Sequence, residues 1–123
     1  MKIANISNHK LTEEQVEGLQ KDFGACFKDG VEIIELPEQF KEDWANLDPE
    51  DFSEVVLLIQ DWMKDNGIKW AHVAGFAPAV IQMVVSRKFI CLYSFSRRVS
   101  QEKEINGEIV KTSVFKHVGW FQY

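Results

Sequence analysis

KWAHVAGFAPAVIQMVVSRKFICLYSF, residues 69–95, is the stretch that decides the fold. Its ends, 69–75 and 89–95, are short apolar runs. Its middle, 78–88, has helical spacing, with Pro78 near the first turn, where a missing N–H does no harm. The run 89–95 is almost continuously apolar, which is the pattern of a strand covered on both faces. Strand, helix and buried strand in succession predict a parallel βαβ unit, and with it an α/β protein.

The chain toward the N-terminus repeats the alternation. KIANIS, 2–7, reads as a first strand, and LTEEQVEGLQKDFG, 11–24, as a helix. Thr12 and Gln15 supply a capping box, Leu11 can staple onto Val16, and Val16, Leu19 and Phe23 share one face. Residues 31–36 predict a second strand, and Pro37 opens a short helix to about Trp44. A longer helix lies within 47–67, with Phe52, Val55, Val56, Ile59, Trp62 and Met63 as its buried stripe and Asn66-Gly67 as its stop. Beyond 95, residues 99–105 and 108–115 flank Asn106-Gly107, a two-residue type I′ signal. The expected architecture is one α/β domain over residues 1–123, built in three layers. Its sheet is mainly parallel, and a C-terminal antiparallel β-hairpin spans 97–116.

Composition agrees with a packed globule: 46% of residues are hydrophobic, among them nine Phe and four Trp. No apolar run approaches the ~20 residues that span a bilayer. Cys26 and Cys91 have no metal or redox spacing, so free buried thiols in a reducing cytoplasm are expected, with no bound metal. His72, inside the third strand, reads as a satisfied core histidine.

Charge is segregated. The formal net charge is −5, yet sixteen acidic residues and four lysines between Glu13 and Asp65 give −12, and the rest of the chain gives +7. A local positive field can therefore attract an anion to an acidic protein. Glu-rich surface helices serving solubility would give the same segregation.

Ligands of open α/β sheets bind beyond the carboxyl ends of the strands, near the point where strand order reverses. Three segments follow strands: Ser7-Asn8-His9-Lys10, Gly75-Phe76-Ala77-Pro78, and Ser94 through Arg98. The hairpin returns Lys116 and His117 beside the last. Arg97 and Arg98 offer planar forks matched to phosphate, and Lys116 is a point charge for the same anion. Neighbouring residues of a strand point to opposite faces, so one arginine of the pair is expected at the site. His9 can move a proton. These four are the candidates for chemistry. Ser7, Asn8, Lys10, Gly75, Phe76, Ser94, Ser96 and His117 are candidates for ligand contact. The Gly75 loop leads into a helix N-terminus, which favours a phosphate, and Phe76 can stack a base or pack. No P-loop, GxGxxG or Gly-x-Ser-x-Gly is present, and no RNA-binding signature accompanies the acidic charge.

NHKLTEEQ (8–15), ELPEQFKEDWANLDPED (35–51), the Gly75 loop, SRR (96–98) and above all VKTSVFKHVGWFQY (110–123) carry a resemblance. The chain resembles, over nearly its full length, the small Csx-type accessory proteins of type III CRISPR systems grouped with the ring nucleases. The resemblance implies a Rossmann-like (CARF-like) domain, usually a homodimer, that binds cyclic oligoadenylate, most often the tetra-adenylate, in the cytoplasm. It implies metal-independent cleavage by the ribose 2′-hydroxyl, without cofactor, DNA or membrane. Trp120, Phe121 and Tyr123 are candidates for the dimer contact. A non-catalytic sink and a sensor for the same messenger remain as alternatives.

Overall fold

The structure, a computed structural model, describes residues 1–24 and 30–123. Cys26 lies outside the described residues. Among the described residues five strands and four helices follow in the order β1 Lys2–Ile6, α1 Glu13–Phe23, β2 Glu32–Glu35, α2 Glu38–Ala45, α3 Phe52–Asp65, β3 Trp70–Val73, α4 Ala77–Val85, β4 Ile90–Ile105 and β5 Glu108–Gln122. They form an α/β structure around one mixed sheet of order β2-β1-β3-β4-β5. β1, β2, β3 and β4 run parallel and β5 antiparallel to β4.

Two apolar layers result from the alternation of each strand. Ile3 of β1 and Leu92 of β4 pack with Leu19 of α1 and with Trp120 on one face. Ala4 and Ile6 of β1, Ala71 and Val73 of β3, and Cys91 of β4 pack on the other face, against Trp44, Val56, Ile59, Met63, Ala79 and Met83 of α2, α3 and α4. Each fully buried aliphatic side chain of this kind contributes roughly 2 kcal/mol. The helix ends follow the local chemistry: Thr12 and Gln15 make the reciprocal capping box, and Gly67 leaves α3 at φ +65°. Gly24 follows α1 in right-handed rather than left-handed geometry.

The hairpin departs from the expected boundaries. The strand beginning at Ile90 does not stop near Phe95 but continues to Ile105, so the fourth strand and the first arm of the hairpin are one element. It lies between β3 and β5, as an inner strand should, but only its beginning is covered on both faces; Phe95 is 41% exposed. The turn is as expected, with Asn106 at φ +54° and Gly107 at φ +81°. Pairing runs from Leu92–Gln122 to Ile105–Glu108 and is broken once, between Phe95 and Ser96, where Val118 is the extra residue of a bulge.

Candidate functional site

Strand order reverses between β1 and β3, and the carboxyl ends of both meet in a buried polar cluster. Asn5, Ser7 and His72 are all buried. The Asn5 Nδ2 amide donates to the His9 carbonyl at 2.9 Å and to the Glu35 carboxylate at 3.2 and 3.4 Å. Its Oδ1 therefore faces the other way, accepting from Ser7 Oγ at 2.7 Å and lying 3.0 Å from His72 Nδ1. An amide oxygen only accepts, so Nδ1 of His72 carries the proton. Burial pushes the His72 imidazole down to about 4, and it stays neutral. This is the satisfied core histidine that its position predicts. Its ring also meets Trp120 edge-on at 5.1 Å.

The cluster clamps the turn after β1, because both Asn5 and Ser7 reach the His9 carbonyl. The side chains of Asn8, His9 and Lys10 are left exposed. They border a recess of about 170 Å³ with Ser7, Glu35 and Lys41. Glu35 is engaged there by Asn5 and, at 3.9 Å, by Lys41.

Gly75 has a different reason to be glycine than phosphate approach. Its φ is +146°, and a Cβ would lie 2.9 Å from Nε1 of Trp44. That indole nitrogen donates to the Ala74 carbonyl at 3.0 Å. Phe76 sits edge-on against Phe52 at 5.8 Å and packs with the core. Pro78 occupies the first turn of α4 and Ala79 N–H already bonds the Phe76 carbonyl, so this helix start presents few free donors.

At the base of the hairpin strand alternation sorts side chains onto two faces, and the bulge resets it on β5. Ser94, Ser96, Arg98, Phe115 and His117 lie on the α1 side; Phe95, Arg97 and Lys116 lie on the other. Arg97 stands opposite Lys116, and its guanidinium lies 5.8 Å from the centre of the Phe95 ring. Arg98 stands opposite Phe115 and stacks on it at 5.4 Å. On the α1 side, Gln15 donates to Ser94 Oγ at 3.2 Å, and Ser94 Oγ is 2.8 Å from His117 Nδ1. Nε2 of His117 is buried without a partner among the described residues, and a Cβ on Gly18 would approach it to 2.7 Å. His117 is thus held under α1 and not in a solvated basic cluster.

No hydrogen bond or ion pair among the described residues joins His9 or Lys10 to either arginine. Nor does any group of three or more His, Cys, Asp or Glu side chains among them have the placement of a metal site. The candidates form three groups: the β1 turn, the α1 side of the hairpin base, and the Arg97–Lys116 pair.

A family model described as "Uncharacterized protein MJ1673 family" matches residues 1–121. The chain belongs to the MJ1673 family. A curated relative, "Uncharacterized protein MJ1673" of Methanocaldococcus jannaschii, is 22% identical over 125 residues, covering 96% of this chain and 93% of its own. No solved structure matches.

Several residues that organise the site in this MJ1673-family chain give no motif signal. Asn5 is the centre of the buried cluster, and Glu35 anchors it from β2. Gln15 and Asp22 of α1 hold the hairpin: Gln15 donates to Ser94 of β4 and its carbonyl accepts from the Trp120 indole of β5, and Asp22 accepts from the Trp120 backbone N–H at 2.8 Å. Polar residues at inward-facing strand positions, Asn5 and His72, are the clue available in the sequence. Trp120, expected at a dimer contact, is instead buried under α1, because it alternates in direction with Phe121.

Proposed function

We propose that this MJ1673-family chain is a Rossmann-like, CARF-type ring nuclease that binds cyclic oligoadenylate and opens it. One observation carries the reading. Arg97 and Lys116 oppose each other on one face at the carboxyl end of the sheet, exposed and without a carboxylate partner among the described residues. Like charges directly opposite each other destabilise a strand pair, and a phosphodiester between them removes the repulsion. Arg98 faces the side where α1 brings Glu14, Glu17 and Asp22 up to His117, which makes Arg97 the arginine of the site.

A ring of 3′–5′ phosphodiesters brings its own nucleophile. The ribose 2′-oxygen attacks phosphorus as the 5′-oxygen leaves, the 2′-proton is taken up and the 5′-oxygen is protonated. The product is a linear chain with a 2′,3′-cyclic phosphate and a free 5′-hydroxyl. Arg97 and Lys116 stabilise the charge on the phosphorane, and holding the attacking and leaving oxygens in line supplies much of the rate. Of the three histidines, His72 is neutral and bonded to Asn5, and His117 is pinned by Ser94, so the exposed His9 is the candidate for proton transfer.

The non-catalytic sink is the second reading, favoured by the lack of any bond between His9 and the basic pair. Single-turnover incubation with cyclic tetra-adenylate in EDTA, followed by product separation, decides between the two. Linear product with a 2′,3′-cyclic end supports the enzyme. Intact ligand retained by excess protein supports the sink.

A further inference from the structure

The helices leave part of the sheet bare. On the side covered by α2, α3 and α4, β4 beyond its first residues and the end of the chain carry Tyr93, Phe95, Phe121 and Tyr123. Their ring centres are 5.7 Å apart for Tyr93–Phe121, 4.9 Å for Tyr93–Tyr123 and 6.4 Å for Phe95–Phe121. The Tyr123 hydroxyl donates to the Val73 carbonyl at 2.7 Å, which fixes one end of the cluster. Phe95 and Phe121 remain 41 and 45% exposed, and Gly119, opposite Phe95, brings no side chain over it. Further along the same face come Arg97 and Lys116, opposite each other, and then Lys103. All three are exposed, and none has an ion-pair partner among the described residues. Glu108, beside the turn, is the one carboxylate on this face of the hairpin, so three cations and one anion leave it at +2 in a chain of −5.

We infer that this face is a stacking track for a linear single-stranded oligonucleotide, with bases on Phe95 and Phe121 and phosphates at Arg97, Lys116 and Lys103. Exposed rings beside a row of cations are the two things such a strand requires, and stacking tolerates any base because every base has a π-face. Phe95 and Arg97 are neighbours on one face, and the guanidinium lies 5.8 Å from the centre of the ring. A nucleotide with its phosphate between Arg97 and Lys116 therefore has its base over the rings. Lys103 stands farther along the same strand, about 20 Å from Arg97 at ~3.3 Å per residue, which leaves room for several more nucleotides.

Charge selects the occupant. A protein surface laid here would bury three unpaired cations at a desolvation cost, whereas a polyanion neutralises them and releases its counterions. No contiguous motif announces the track, because the rings and cations come from two strands and are brought together by pairing. The inference goes beyond the proposed function, since it requires neither a closed ring nor cleavage. It rests on that reading only for the phosphate between Arg97 and Lys116.

Fluorescence anisotropy with linear RNA tests it. Labelled oligouridylate and oligoadenylate of about eight nucleotides are expected to bind the wild type comparably. An abasic oligomer of the same length and charge should bind about tenfold or more weakly, as loss of stacking predicts. Phe95→Leu, which keeps apolar bulk and loses the π-face, should weaken both RNAs by about tenfold, and Phe95→Trp should not. Lys103→Ala should reduce the slope of log affinity against log salt by about 0.7, whereas Arg98→Ala, on the other face, should leave affinity nearly unchanged. Failure of the wild type to bind either RNA overturns the inference. So does an abasic oligomer held as tightly as RNA, or Phe95→Leu with wild-type affinity and native circular dichroism. The abasic comparison uses the wild type and decides the matter even if Phe95→Leu misfolds. Cyclic tetra-adenylate is titrated in parallel: a ring bound and opened without binding of linear RNA refutes this inference alone, and linear RNA bound without the ring refutes the proposed function alone.

Discussion

At Gly75 a single hydrogen in place of a methyl decides whether the Trp44 indole reaches the Ala74 carbonyl. Gly75→Ala combines a backbone conformation that L residues avoid with a 2.9 Å approach to that ring. It should cost roughly 2–4 kcal/mol in urea unfolding. The glycine was legible in the sequence as a loop residue, but not its cause, because Trp44 lies 31 positions earlier. His72 gives a second test. Unfolded, its imidazole titrates near 6.5; folded, burial lowers it to about 4. Between those values only the unfolded chain takes up the proton. Stability is therefore full above the upper value, falls as pH drops toward the lower one, and loses roughly 3 kcal/mol in all. His72→Asn should flatten the part of this loss that lies between about pH 7 and pH 5, followed by urea midpoints.

Among the elements, α1 and β5 are locked together by a close approach at Gly18. In an exposed helix interior, Gly→Ala ordinarily stabilises by ~1 kcal/mol. Here the new methyl would meet His117 at 2.7 Å, so Gly18→Ala should destabilise by roughly 1–3 kcal/mol. In a His117→Ala background the same change should become neutral or stabilising, and a double-mutant cycle in urea measures the reversal. The capping box of α1 and the Asn106-Gly107 turn were fully legible, since their partners lie within three residues. The extent of β4 was not. SRRVSQEKE, 96–104, is polar enough to suggest a break after the apolar run, yet pairing with β5 carries the strand through it.

For the molecule as a whole, the charge segregation gains meaning from where the sheet puts it. Both arginines project from the middle of β4, just beyond its parallel part, but on opposite faces, and only Arg97 has a second cation across from it. Arg97→Ala should weaken cyclic tetra-adenylate binding by about tenfold or more, equal to at least ~1.4 kcal/mol, whereas Arg98→Ala should change it little. Calorimetric titration of the two variants separates them. Equal effects would place the ligand elsewhere. Affinity should also fall between low and physiological salt, because an exposed cation pair is screened.

The sequence by itself determined what short-range sterics and hydrogen bonding control: alternation of strands and helices, the caps, the turn, and the segments that follow strands. It also showed that neighbouring arginines must diverge. Only the tertiary structure decided which one meets α1, because that follows from Leu92 packing on α1 and the unbroken alternation of β4 from there to Arg98, while the inserted Val118 sets the facing of β5 alone. Only the tertiary structure joined Asn5 to His72 across 67 residues and left the aromatic side of β4 and β5 uncovered. Those outcomes depend on which surfaces meet after the chain has closed, and no local pattern encodes that meeting.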